Sequence, residues 1–337
     1  MPQVFTWLAT HSQLGSTGSA ANVYIDTDLT ARGLPADTKA VCVLIQNFSG
    51  ADRPWALRPS LMAWERYDMQ RTNSSSYVFA KVVSGRVAFK LSDPVNQRMF
   101  ILGYAEGDSP SVWFDSPINL IGQSTVGVYS TINIGEYTGG RTARAAIVRY
   151  RAQSTQVVDF RHPSTTLTRQ TEGIGAAGAS VHDHVIVGCS ANQFQFYRSI
   201  NGGADDQLEL LGFIFDGLVW NTSPPNINPT ATATWEAKAI NANARGVIIK
   251  SGRSMSAAAN TIGVRDPGVA HSRNPTFPGL RHAGQYVMST TPAGEIEVYR
   301  TTSDAANSYF DVQGYFTEVA TATSVTQAIP PLMVLGS

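Results

Sequence analysis

Along most of the chain apolar and polar residues alternate with a period of two, and the apolar runs are short. Val87-Ala-Phe-Lys-Leu91, Phe194-Gln-Phe-Tyr197 and Glu295-Ile-Glu-Val-Tyr299 each put every second side chain on one face of an extended segment. Turn-forming stretches, Ser84-Gly85, Ala191-Asn192 and Pro292-Ala-Gly294, separate each of them from a preceding apolar run, so all three predict β-hairpins. Helical periodicity is nearly absent. Leu61 to Tyr67 has two turns' worth of it, bounded by Pro59 and the polar run Thr72 to Ser76. Short strands punctuated by Gly and Pro predict an all-β chain of sandwich or jelly-roll units.

Those units repeat. An apolar β-branched run opens each copy: Ala40-Val-Cys-Val-Leu-Ile45, Ala145-Ala-Ile-Val-Arg-Tyr150 and Gly246-Val-Ile-Ile249. An arginine near a proline follows, at Arg58, Arg161 and Arg265, then the hairpin, then a Gly-aromatic pair at Gly103-Tyr104, Gly212-Phe213 and Gly314-Tyr315. The glycines of these pairs, Gly103, Gly212 and Gly314, lie 109 and 102 residues apart. Four landmarks in one order, three times, predict three tandem β-sandwich or jelly-roll-like modules: 1–120, 121–225 and 226–321, followed by an apolar tail, 322–337. Trp113 with Pro117, and Trp220 with Pro224, follow the first two Gly-aromatic strands and read as stiff linkers with a tryptophan docked on a neighbouring module. Three rigid sandwiches in series predict a stack that projects a tip from an anchor. The tail, ending Ala328-Ile-Pro-Pro-Leu-Met-Val-Leu-Gly-Ser337, is expected to be covered by a partner subunit.

Composition narrows the function. The chain of 337 residues has 25 basic and 25 acidic side chains and no net charge, and each module is nearly balanced, which excludes a specialised polyanion binder and predicts no nucleic-acid partner. No segment reaches the length of apolar sequence needed to span a membrane, so no membrane partner is expected, and Met1 to Leu14 lacks the features of a secretory signal. Cys42 and Cys189 fall at non-equivalent points of the repeat and are expected as packed thiols, not a disulfide. Arginine supplies 20 of the 25 bases and lysine 5.

Candidate chemistry is thin. Gly173-Ile-Gly-Ala-Ala-Gly178 fits a dinucleotide fingerprint but lies between a polar run and a strand, so a loop is expected there and no cofactor. His182-Asp-His184 could present two imidazoles to a metal, yet lacks companions and reads as a surface pair at a strand start; Asn201 to Asp206 lacks the spacing of a calcium loop. Nucleophile elbows, zinc-protease and phosphate-loop motifs are missing, so no catalytic residue is assigned and the protein is expected not to be an enzyme. The threefold arginine is read as part of the fold, for instance bonding loop carbonyls, over three guanidiniums reading glycans or phosphates.

Asp311-Val-Gln-Gly-Tyr-Phe316 resembles the last strand of a bacterial cell-surface β-module found in tandem in extracellular actinobacterial proteins. The likeness covers about Gln285 to Phe316 and extends to the first two copies in outline. In overall build the chain resembles surface proteins of tailed phages and gene-transfer agents: head spikes and fibres, decoration proteins and tail adhesins. That resemblance implies a non-enzymatic virion protein assembled in the host cytoplasm, self-associating with a trimer favoured, touching other virion proteins and host glycans. The alternatives are a bacterial carbohydrate-binding or adhesion protein and, third, a polysaccharide-degrading enzyme with a site between subunits.

Overall fold

The computed structural model describes residues 4–15, 19–51, 53–60, 68–70, 74–107, 111–152, 157–167, 171–172, 181–201, 206–253, 260–265, 267, 276–277, 283–301 and 308–318. Leu61 to Tyr67, the glycine run 173–178 and the tail 322–337 lie outside them. Among the described residues no helix is long and apolar enough to cross a membrane.

The chain is all-β. In the first module β1 (Thr6–Gly15), β2 (Ile25–Asp28), β3 (Thr38–Asn47), β4 (Arg53–Pro59), β5 (Asp68–Gln70), β6 (Ser74–Lys81), β7 (Arg86–Leu91) and β8 (Gln97–Glu106) form two four-stranded sheets, ordered β1-β8-β3-β6 and β2-β7-β4-β5. The second has β9 (Ser111–Asn119), β10 (Ser130–Asn133), β11 (Ala145–Ala152), β12 (Val157–Arg161), β13 (Thr171–Glu172), β14 (Val181–Gly188), β15 (Gln193–Arg198) and β16 (Gln207–Ile214), ordered β14-β11-β16-β9 and β10-β15-β12-β13. The third has β17 (Leu218–Trp220), β18 (Glu236–Ala239), β19 (Gly246–Arg253), β20 (Asn260–Arg265), β21 (Thr276–Phe277), β22 (Ala283–Ser289), β23 (Glu295–Arg300) and β24 (Ser308–Phe316), ordered β17-β24-β19-β22 and β18-β23-β20-β21. Lettering each set of eight strands B to I, every module pairs a BIDG sheet with a CHEF sheet, the jelly-roll topology.

The Gly-aromatic landmark is a bulge in strand I. Opposite strand D the ladder skips one residue in each copy, Leu102, Leu211 and Gln313, immediately before the glycine. Glycine is required because the neighbouring B strand comes close. A Cβ on Gly103, Gly212 or Gly314 would meet the carbonyl oxygen of Thr6, Val112 or Val219 at 2.9, 2.3 and 2.7 Å. The next residue in each B strand is a tryptophan, Trp7, Trp113 or Trp220, paired with that glycine.

This corrects the linker assignment. Trp113 and Pro117 lie within β9, an edge strand that tolerates proline, and Trp220 closes β17; Pro224 lies in the segment that continues beside β24, where the Asn221 N–H donates to the Gln313 carbonyl and the Val312 N–H to the Pro225 carbonyl. Expected boundaries near 120 and 225 therefore move to the crossings between β8 and β9 and between β16 and β17. Proline and tryptophan suggested connectors, but they belong to an edge strand that leaves its ladder for a few residues after each tryptophan.

The modules are not stacked in series either. Each BIDG sheet is buried on both faces, which is why its D strand carries a run of consecutive apolar residues. In the first module Val41, Val43, Ile45, Met99 and Ile101 face that module's own core. Ala40, Cys42, Leu44, Phe100 and Leu102 join a central cluster with Trp113, Ala145, Ile147, Ile186 and Ile248 from the other two. The three G strands, β6, β14 and β22, meet at this centre. The result is a ring with threefold character built from one chain.

Cys42 and Cys189 are both buried and form no disulfide. Burial pushes the Cys189 thiol up to about 12. Native protein at pH 8 is expected to leave both thiols unreacted with a chromogenic disulfide reagent and to release two equivalents once unfolded in urea. Rapid labelling of the folded protein would contradict this.

Candidate functional surface

Two repeated arrangements carry the side chains that could act: the seams of the ring and the outer CHEF faces. At the seams each tryptophan reaches the neighbouring module. Trp7 lies against Gly246 and Phe316 of the third module, Trp113 against Phe5 and Phe79 of the first, and Trp220 against Gly188 of the second. The G strands follow the same sense. The Phe79 N–H donates to His184 Nδ1 at 3.2 Å, Gln285 bonds both the N–H and the carbonyl of Ile186 at 2.7 and 2.8 Å, and Tyr77 meets Tyr286 edge-on with centroids 5.5 Å apart. Tyr77, His184 and Gln285 are equivalent residues, paired in their sheets with Leu44, Arg149 and Lys250. His184 is therefore 7% exposed and not half of a surface pair, because strand alternation turns it to the axis. Acceptance of the Phe79 N–H requires its Nδ1 to be unprotonated.

Leu44, Arg149 and Lys250 have diverged. Leu44 faces Phe100 across the ladder; Arg149 faces Glu209 and bonds it at 2.8 and 2.5 Å, both side chains under 5% exposed. Burial, then the nearby Arg151, brings the Arg149 guanidinium down to about 10. Lys250 crosses the seam to Asp159 of the second module, whose other oxygen accepts the Tyr129 hydroxyl at 2.5 Å. A cleft of about 30 Å³, bordered by Leu57, Phe79, Trp113, Arg149 and His184, lies at the seam of the first two modules; it has room for a water or two, not a sugar or a cofactor.

On the CHEF faces the three arginine landmarks occupy one position. Arg58, Arg161 and Arg265 pair with Ala88, Gln195 and Glu297 in their H strands. Each guanidinium lies over an aromatic ring just before strand C: Arg58 over Tyr24 at 3.6 Å, Arg161 over Tyr129 at 3.5 Å and Arg265 over Trp235 at 4.2 Å. Such contacts contribute roughly 0.5–1 kcal/mol each at exposed sites. Each arginine landmark thus stacks on a ring. The H strand adds a third group: Lys90 over Tyr24, Tyr197 against Tyr129 and Tyr299 against Trp235, the last two with centroids 5.2 Å apart. Burial first, then the Asp159 carboxylate, raises the Tyr129 phenol.

The third face differs most. Arg265 pairs with Glu297 at 2.5 Å, and beside Trp235 the Glu236 carboxylate takes hydrogen bonds from Lys238, Thr230 and the Ala231 N–H. Those bonds, led by Lys238, bring Glu236 down to about 2. Of the oxygen-rich turn, Asp206 is buried and lies 3.5 Å from Arg198, which also reaches Asn201 at 3.4 Å. Sequence reasoning missed Tyr24, Tyr129 and Trp235, although an aromatic stands 34, 32 and 30 positions ahead of Arg58, Arg161 and Arg265.

The chain is an all-β protein of three tandem jelly rolls. No family model and no curated protein matches it. Among solved structures, one from Sulfolobus turreted icosahedral virus aligns at 9% identity over 93% of this chain and 92% of that one, with a TM-score of 0.22. Another, described as a triple jelly roll fold and turret assembly in an archaeal virus, aligns at 10% over 94% and 92%, TM-score 0.23. The N-terminal CBM22-1–CBM22-2 tandem domain of a Paenibacillus barcinonensis protein aligns at 9% over 87% and 83%, TM-score 0.16. Strand pairing, not these distant likenesses, defines the architecture.

Proposed function

We propose that the protein is a non-enzymatic structural component of a virus particle, a spike, fibre, decoration protein or adhesin of a tailed phage or phage-like particle. The observation that carries this reading is the closed ring. With every BIDG sheet turned inward, the CHEF faces and loops are left to meet neighbours on three sides. Jelly rolls recur in viral capsid and lectin domains, and this step is an analogy at the level of fold. One chain with threefold character supplies three similar but distinguishable lateral surfaces, which suits a position beside a local threefold of a lattice. The exposed Val95, Val126, Val128 and Ile200 add apolar contact area for other particle proteins or for further copies of the chain.

A second reading, a bacterial cell-surface carbohydrate-binding protein, is favoured by the half-buried Trp235 and Tyr299 beside Arg265 and Glu297, since ring faces and charged hydrogen-bonding groups suit a pyranose. Host-polysaccharide contact on a virion surface would use the same face. Gold-labelled antibody against the purified protein is expected to decorate isolated particles at regular positions in electron micrographs. Bare particles with label on the cell envelope would overturn the first reading in favour of the second.

A further inference from the structure

Among the described residues, the seam between the second and third modules holds a combination that the other seams do not show. The Lys250 and Asp159 side chains are 11% and 1% exposed and in direct contact, one from each module. Asp159 Oδ2 accepts the Tyr129 hydroxyl. Directly opposite Lys250 in the β19–β24 ladder, on the same face of the sheet, stands Asp311, also 1% exposed, its Oδ1 held by Asn226 Nδ2 at 2.9 Å. An amine, a carboxyl to acylate it and a second buried carboxylate are thus gathered where water is scarce. The equivalent position in the second module carries Arg149, whose guanidinium stays an ion-pair partner of Glu209; a lysine amine can become a nucleophile once it loses its proton.

We propose that Lys250 and Asp159 condense to an isopeptide bond that ties the second module to the third, with Asp311 as the proton-transfer group. Asp311 takes a proton from the Lys250 ammonium. The freed lone pair attacks Asp159 Cγ, the new C–N bond forms, and the oxygen that gathers charge is held by the Tyr129 hydroxyl. Collapse breaks one C–O bond. Two of the three ammonium hydrogens leave with that oxygen as water, one relayed by Asp311, which ends as it began. One ammonium and one carboxylate become one amide and one water, so atoms and charge balance and no further reactant is needed. Holding the two groups together in a dry seam supplies the effective concentration that free amine and carboxylate lack in water, and neutralising both removes a buried charge pair.

Intact-mass spectrometry of the reduced, denatured full chain tests this. Folded wild-type protein is expected to weigh one water less than its sequence, and digestion to release a branched peptide joining Lys250 to Asp159. Lys250→Arg keeps the cation and Asp311→Asn keeps the shape; both are expected to fold, checked by circular dichroism, and to show the full sequence mass. The proposal is overturned by full sequence mass in folded wild type after prolonged incubation at neutral pH, or by a water loss that persists in Lys250→Arg. Complete condensation in Asp311→Asn would remove Asp311 from the reaction.

Discussion

Glu209→Ala is expected to cost about 3–5 kcal/mol, read as a fall in the urea midpoint of unfolding, because it leaves the Arg149 guanidinium buried with its carboxylate gone. Transfer of that charge from water is unfavourable whether or not the surroundings relax, and burial already lowers the guanidinium's proton affinity. The first module contains the control. Its equivalent residues, Leu44 and Phe100, fill the same ladder position with an apolar pair. The double substitution Arg149→Leu with Glu209→Phe is therefore expected to lose much less than Glu209→Ala alone. A double variant as unstable as the single one would mean that the ion pair does more at this seam than satisfy itself.

Gly188→Ala, at a buried seam, is expected to cost about 1–3 kcal/mol through overpacking. An added Cβ would stand 2.3 Å from the Trp220 ring, which is the wedge between the third module and the second. The ring must leave its seat, so tryptophan emission should shift to the red together with the loss of stability. Gly122→Ala, where no atom of the described residues lies within 4 Å of the added Cβ, serves as the comparison and is expected to change stability by no more than about 0.5 kcal/mol. Unchanged emission from Gly188→Ala would show that Trp220 is not held by that contact.

Within each module the sequence was a good guide, because the signals are local. Alternation in Glu295 to Tyr299 names strand H, the turn before it names the hairpin, and Gly103, Gly212 and Gly314 mark a bulge whose cause lies in a strand carbonyl next door. The B strands were harder. Trp113 and Trp220 stand in short, proline-bearing segments that pair at only a few positions before leaving the ladder, and such segments look like connectors. The arginine landmarks were visible but their partners were not, since Tyr24, Tyr129 and Trp235 sit some thirty positions away with no periodic link. Ring closure was legible only in part. The tryptophan that reaches across each seam recurs in every copy, but the groups that meet it or bond beside it, such as Gly188, Gly246, His184 and Gln285, differ from copy to copy and carry no repeated signal.

Because its three lobes share one backbone, the ring escapes a constraint on any homotrimer, where every substitution appears three times at once. Here Leu44, Arg149 and Lys250 occupy one geometric slot with an aliphatic, a guanidinium and an amine. Mutation can tune one joint while the other two stand still, so a body of near-threefold build can carry a different chemistry at each of its three internal seams.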